Sequence, residues 1–323
     1  MEISLQQAYH IFMADRETSC SAKTLLYYEE NLTNFFNYCS DCFGKSVVEI
    51  KCTEITREIF SNYIKYLRKR PKFYQHPFLL PSNEPLSATS IRTYARSIKV
   101  FARFCKENDY SDIDFTYRVK LPKQDSGEII PLYQNEVRDI DRIFNLKTEL
   151  GLRNWCIFHI MLDAGLRSSE VINLRFCDLL FDKNIIQIYK GKGAKTRLVI
   201  LCPRLKVNLM KYCVVYRNYT NLPGKSFVFL QMKGQTAINH NVIKQLFARI
   251  KVKSGVNRIY PHLCRHTFAT SYICGGGNIE MLRLLMGHSD YTVTRMYIHL
   301  AQQSQLLNTD IYQLDPVFFK KYP

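Results

Sequence analysis

Between Ser111 and Pro131 the stretch SDIDFTYRVKLPKQDSGEIIP loses the apolar periodicity that runs through the residues on either side of it. That gap constrains the fold most. A stretch of this length that loses the periodicity of its flanks reads as a linker between two domains. A chain of 323 residues is long enough for two ordinary domains. The expected division is a helical domain over 1–112, a linker over 113–130 and a second domain over 131–323.

The first part reads as helices. Leu5, Ala8 and Phe12 recur at helical spacing. Ser21 can cap a helix whose apolar face is Leu25, Tyr28, Leu32, Phe35 and Cys39. Ile59, Phe60, Tyr63, Ile64 and Leu67 mark a third helix, and the four prolines from Pro71 to Pro85 a loop. A fourth segment, SIRTYARSIKVFARFCK, has two faces. Ile91, Tyr94, Ala95, Ile98, Phe101, Ala102 and Cys105 form the apolar one, while Arg92, Arg96, Lys99, Arg103 and Lys106 line a ridge on the other. Like charges at this spacing repel, so a cationic ridge points to a helix laid against phosphates. A solvated basic face, neutralised by acids from elsewhere, is the alternative reading.

The second part mixes signals. Helices are expected over Gln134–Phe144, from Trp155 to Ala164 with a stop at Gly165, and near 203–218 and 239–253. Pro261 suits the first turn of another, which ends at Gly275-Gly276-Gly277. The run IIQIYKGKGAKTRLVIL reads as a β-hairpin, two β-branched arms around Gly191–Ala194. The fold class is therefore mainly α with a small antiparallel β-sheet.

The formal net charge is +17, and its cations are spread through helical segments. Excess charge of this size calls for a polyanionic partner, and nucleic acid is favoured over a membrane surface. No apolar run approaches the roughly 18 residues that span a bilayer, and the N-terminus lacks a signal peptide's basic start and apolar core. The expected location is the cytoplasm. Eleven cysteines, an odd number, read as reduced thiols. Cys39 and Cys42 in C-S-D-C formally match a C-x-x-C motif, but a zinc or redox site needs a second pair or a βαβ context.

Four of the eight histidines lie between residues 262 and 299. In Y-P-H-L-C-R-H-T-F-A-T, His262 and Arg265 share a helix face. His262 and His266 stand at the spacing of a zinc-protease pair, but Leu263 occupies the place of the required Glu, so no metal is expected. His266 reads as a buried structural histidine that hydrogen-bonds its neighbours. Further along, GHSDYTVTRMYIHL sets His288 nine residues before Tyr297. Gly287 would end one helix and turn His288 inward, and Ser289 or Asp290 would cap a short helix carrying Tyr297 back to the same place. Tyr291, in that helix's first turn, would face away.

Together, AGLRSSEVINL with Arg167, the hairpin's Lys192, PHLCRHTFAT with His262 and Arg265, LLMGHSD with His288, and YIHL with Tyr297 form an ordered set. From about residue 131 to 300 the chain resembles the catalytic domain of the tyrosine recombinase (phage integrase) family. Cys264 and Met286 stand where leucine is common in that family. The first ~110 residues resemble the family's helical core-binding, SAM-like domain through weaker motifs. The resemblance implies a two-domain architecture, a helical core-binding domain followed by a mixed α/β catalytic domain. The additional N-terminal arm-binding domain of larger integrases is not expected.

The residue types suit phosphoryl chemistry. A tyrosine near pKa 10 is a poor nucleophile at neutral pH, and neighbouring cations are expected to lower that value. Two guanidiniums, Arg167 and Arg265, can hold the non-bridging oxygens of a DNA phosphodiester and stabilise its pentacoordinate transition state. By resemblance Lys192 protonates the leaving 5′-oxygen, His262 accepts the tyrosine proton or orients a phosphate oxygen, and His288 hydrogen-bonds the phosphate. Glu170 would buttress the site. The implied reaction is site-specific cleavage and rejoining of duplex DNA through a 3′-phosphotyrosyl link, without metal or other cofactor. It would serve integration, excision or inversion of a mobile element; the alternatives are Xer-like resolution of chromosome or plasmid dimers and a non-catalytic DNA-binding regulator. The implied assembly is a homotetramer on two paired sites, with a related recombinase or accessory protein left open as a further partner. DNA contacts are expected from Arg92, Arg96, Lys99 and Arg103. The apolar tail, with Leu306, Leu307, Ile311 and Leu314, would fold back on its own domain or dock on a neighbouring protomer.

Overall fold

Helix caps and apolar stripes build the first unit much as the sequence writes them. The computed structural model describes residues 3–72, 74, 80, 82–123, 129–189, 196–232, 236–288, 291–306 and 310–320. It divides into two compact units, Met1–Gly127 and Glu128–Pro323. In the first, α1 (Leu5–Glu17) starts at a capping box of Ser4 and Gln7. Ser21 caps α2 (Ala22–Phe43), Thr56 caps α3 (Arg57–Lys69) and Ser87 caps α4 (Ala88–Glu107). Each such cap stabilises its helix by about 1 kcal/mol. The core between them is aromatic. Phe12 meets Phe101 edge-on at 5.5 Å, and Phe35 meets Tyr63 at 5.1 Å.

Part of the stretch expected as linker is packed in this core. Phe115 is buried and stacks on Phe35 at 6.1 Å, and Val119 and Leu121 lie against the same cluster. The stretch has no helical period, but Phe115, Val119 and Leu121 lie on a period-two alternation with Ile113 and Tyr117 that the sequence contained. Pro71 and Pro85 face each other in an antiparallel bridge that closes the proline loop.

The second unit is built around α6 (Glu149–Asp163), which is buried from Leu152 to Asp163. Packed with it are α5 (Gln134–Arg142), α7 (Ser168–Ile172), α8 (Pro203–Lys211), α9 (His240–Ser254) and α10 (Pro261–Cys274). A π-helical turn, Tyr212–Tyr216, continues α8. The sheet is antiparallel in the order β1 (Leu179–Leu180), β2 (Ile185–Ile188), β3 (Arg197–Ile200), with Ile188 opposite Arg197. The β2–β3 pairing is the expected hairpin. Its turn, with Lys192, lies outside the described residues.

Next come α11 (Ile279–Met286) and α12 (Tyr291–Leu306), the latter sixteen residues long where a short helix was expected. After it, Ile311 bridges Tyr133, and α13 (Val317–Lys320) sets Phe318 edge-on to Phe268 at 5.7 Å. The described tail thus packs on its own unit. Among the described residues no helix is long and apolar enough to cross a membrane.

Candidate active site

The site begins where α6 ends. Gly165 has φ +64°, and a Cβ there would meet Phe268 Cδ1 at 2.6 Å, so only glycine fits this turn. The turn leads into Arg167, whose backbone N–H donates to Glu170 Oε2 at 2.8 Å while its Nη1 donates to Oε1 at 3.1 Å. Glu170 also receives both terminal nitrogens of Arg197 from β3, each at 2.6 Å. Arg197 Nε donates to Leu285 O on α11 at 2.7 Å. Burial disfavours the Glu170 carboxylate, but Arg197 and Arg167 outweigh it and hold the pKa at about 2. One carboxylate therefore ties α7 to β3, and through Arg197 to α11.

Arg265 on α10 is buried, with donors spent on neighbouring turns. Nη1 donates to Gly165 O and Nη2 to Met286 O, and Nη2 lies 3.2 Å from His288 Nε2. Burial, with repulsion from Arg167 and Arg197 and opposed by Glu170, pushes its pKa down to about 9, so it stays charged at neutral pH. His262, one turn earlier, is exposed, and burial of its ring with the nearby Arg265 and Arg167 lowers its pKa. Gly287, at φ +61°, ends α11 in the left-handed conformation expected of it, and His288 follows. His288 Nδ1 faces Thr294 Oγ1 of α12 at 3.1 Å.

Tyr297 completes the cluster. It is only 2% exposed, its ring lies parallel to His288 at 6.4 Å, and its hydroxyl is 2.9 Å from His266 Nδ1. The expected fall in its pKa is not found. Burial outweighs the lowering by Arg265 and Arg167 and pushes the phenol up to about 12, so Tyr297 is neutral in this structure. Tyr291 is exposed and donates to Glu280. In the first unit, Arg96 and Arg103 are exposed and Arg92 and Lys99 half-buried along α4. Arg92 donates to Pro122 O at 3.1 Å, and Arg103 pairs with Glu107 at 2.8 Å, so part of this ridge is already engaged within its own unit.

A model described as the phage integrase family matches residues 132–304, more than half of the chain, and one for the phage integrase SAM-like domain matches residues 4–120. The chain belongs to the phage integrase family. Tyrosine recombinase XerD of Rickettsia bellii (strain RML369-C) is 26% identical over 318 residues, covering 92% of this chain and 93% of that protein. Tyrosine recombinase XerC of Bacillus pumilus (strain SAFR-032) is 32% identical over 190 residues, 58% of this chain and 62% of that one. The fold is that of the Tn1549 transposon integrase solved with a circular-intermediate DNA, at TM-score 0.71 and 17% identity, covering 94% of this chain and 99% of that one. As a tyrosine recombinase the chain is an enzyme that cleaves and rejoins DNA.

In this recombinase Arg167, His262, Arg265, His288 and Tyr297 lie in one electrostatically linked cluster, although Arg167 and Tyr297 are far apart in the chain. Lys192 and the Ser289–Asp290 cap lie outside the described residues. Sequence reasoning missed three neighbours. Arg197 alternates with Leu198 so that it shares the buried strand face with Val199, a period-two signal that was available. Thr294 had no such signal. His266 was read as structural, and its bond to the Tyr297 hydroxyl follows only from the crossing of α10 and α12.

Proposed function

We propose that the recombinase cuts each DNA strand by attack of Tyr297 Oη on a backbone phosphate, leaving a 3′-phosphotyrosyl link and a free 5′-hydroxyl. The observation that supports this is Tyr297 buried against His266 and His288, with Arg265 bonded to that same His288 and the half-buried Arg167 within electrostatic reach. In this reading Arg265 and Arg167 hold the non-bridging oxygens, and the charge of the transition state is shared between two guanidiniums already fixed by Gly165, Met286 and Glu170. His262 and His288 orient the phosphate, and Lys192, on the β2–β3 turn, protonates the leaving oxygen. The cations are side chains, so no metal is called for. The bond energy is kept in the ester, and religation needs no nucleotide.

The partner is duplex DNA, gripped in part by Arg92, Arg96, Lys99 and Arg103 on α4, and four protomers work on two paired sites. The role we assign is integration, excision or inversion of a mobile element. A second reading, dimer resolution, is favoured by the names of the relatives, XerD and XerC. One experiment addresses both. Protein incubated with sheared genomic DNA is denatured, the covalent adducts are recovered, the linked peptide is identified by mass spectrometry and the DNA is sequenced. Adducts should map to Tyr297 and be absent from Tyr297→Phe, because only the nucleophilic oxygen is removed. An adduct on another residue, or one surviving in the variant, rules the mechanism out. Sites at both ends of a segment containing the gene support the mobile-element role; one unlinked chromosomal site supports dimer resolution.

A further inference from the structure

His262 and His266 lie one turn apart on α10 but differ in place. His262 is exposed, whereas His266 is half-buried with Nδ1 2.9 Å from Tyr297 Oη and its ring 5.7 Å from the phenol ring. Among the described residues no hydrogen bond joins His262 to Tyr297. His288 is also close, but its Nε2 faces Arg265 Nη2 and its Nδ1 faces Thr294 Oγ1, so both ring nitrogens are engaged. A neutral phenol donates or accepts in such a contact; with His266 as the Nε2–H tautomer the hydroxyl donates and Nδ1 accepts, and this is the arrangement that proton transfer to Nδ1 requires.

Resting on the reading of Tyr297 as nucleophile, we propose that His266, not His262, aligns the Tyr297 hydroxyl and takes its proton during cleavage. As the Oη–P bond forms and the P–O5′ bond breaks, the phenol proton passes to His266 Nδ1. The leaving 5′-oxygen receives its proton from the separate acid on the β2–β3 turn. In rejoining, the 5′-hydroxyl attacks and returns its proton to the acid that supplied it, the Oη–P bond breaks, and the other proton passes from Nδ1 back to Oη. His266 touches a reacting atom and is in that sense catalytic. Burial, with His262 and Arg265 beside it, holds its pKa down to about 4, so its lone pair is free at neutral pH. A base this weak suffices because a phenolic oxygen loses nearly all basicity as it bonds to phosphorus. The incoming phosphate also offsets the repulsion that Arg265 exerts on an imidazolium.

The test uses His266→Ala and His266→Asn in the full chain, on the site recovered from the adducts. The asparagine oxygen lies near the position of Nδ1, so it can hold the hydroxyl but cannot take its proton. Single-turnover cleavage is measured on a nicked suicide duplex with an ordinary phosphate, and on one with sulfur for the bridging 5′-oxygen, whose thiolate leaves without a proton. Both variants should cleave roughly 100-fold or more slowly on both duplexes, with binding retained. Rates within about fivefold of the unmodified protein overturn the proposal, as does near-normal cleavage by the asparagine variant. Rescue by the sulfur duplex also overturns it, because it places His266 on the leaving-group side. Imidazole nitrogen-15 shifts of the unmodified protein give a readout independent of variant folding: Nδ1 should be unprotonated, and an Nδ1–H tautomer overturns the assignment. If the unmodified protein forms no Tyr297 adduct, the parent mechanism fails and takes this inference with it. A normal adduct with unaffected His266 variants sinks the inference alone.

Discussion

Arg265 shows how much of a catalytic residue's environment is spent on holding it still. Its donors reach Gly165 O and Met286 O, and its charge sits among Arg167, Arg197 and Glu170. Arg265→Ala would leave two buried carbonyls without that donor, so Arg265→Lys is the cleaner probe. It keeps the charge and loses the two-pronged geometry. We expect it to slow single-turnover cleavage by about 3 kcal/mol, roughly 100-fold, with DNA affinity little changed. A loss below about fivefold, ~1 kcal/mol, removes Arg265 from the transition state. Glu170 belongs to the same frame, and its linkage has a definite sign. Its folded pKa of about 2 lies below the unfolded value, so its stabilisation is present above roughly pH 4.5 and is lost as pH falls toward 2. Glu170→Gln should cost on the order of 3 kcal/mol in urea unfolding at pH 7, with the deficit shrinking at pH 3. A deficit independent of pH would mean that the carboxylate charge does not matter. At this scale Arg167, His262, Arg265, His288 and Tyr297 were legible as one set because each sits in a local motif, and the structure brings them near one another; the contact of His266 with Tyr297 was not legible. The sequence did not disclose the sign of the Tyr297 shift, since burial and cation proximity oppose each other and only packed coordinates weigh them.

Elements were legible where a local rule governs them. Ser21, Pro261 and Gly287 punctuate helices in the places read from sequence. The start of α6 was not legible. Gly151, Arg153 and Asn154 look like a helix breaker followed by solvated residues, yet Arg153 and Asn154 are buried and Arg153 donates to Leu230 O at 2.7 Å. A tertiary partner made a polar pair affordable inside the core, and no local pattern encodes that. The basic ridge of α4 is legible in the opposite sense: the cations are plain, and their use needs a measurement. Arg103 already has Glu107 as partner, and Arg92 is engaged with Pro122, so Arg96 and Lys99 are the better probes. Replacing both with alanine should weaken DNA binding without regard to sequence. It should also flatten the log–log salt dependence by about 1 to 2 units. An unchanged slope would return this face to solvent.

The largest-scale question in the second unit is what holds its far ends together, and the answer is a buried polar network under the tail. His159 lies fully buried between Asp141 and Asp163, at 2.7 Å from each, and the Tyr312 hydroxyl donates to Asp163 at 2.7 Å. Backbone bonds from Tyr312 N to Leu132 O and from Gln134 N to Asp310 O add a strand-like seam, and Ser271 donates to Tyr312 O. Leu314 and Phe318 are buried below it, and Phe319 stacks on Tyr272 at 5.8 Å. Ending the chain after Gln305 strips these contacts together. Each fully buried apolar side chain contributes about 1.5–3 kcal/mol, and Asp163 would lose a buried donor as well. A loss of several kcal/mol lowers the midpoint of a domain this size by roughly 10 °C or more. We therefore expect thermal melting of the shortened protein to show a second-unit transition shifted down by that amount. Cooperative DNA binding, measured per folded molecule, should persist. The opposite pattern, an unchanged melting point with single-site binding retained and cooperativity lost, would mean that in solution the tail binds another protomer. The contacts of Tyr312 and Phe318 would then describe the isolated chain alone.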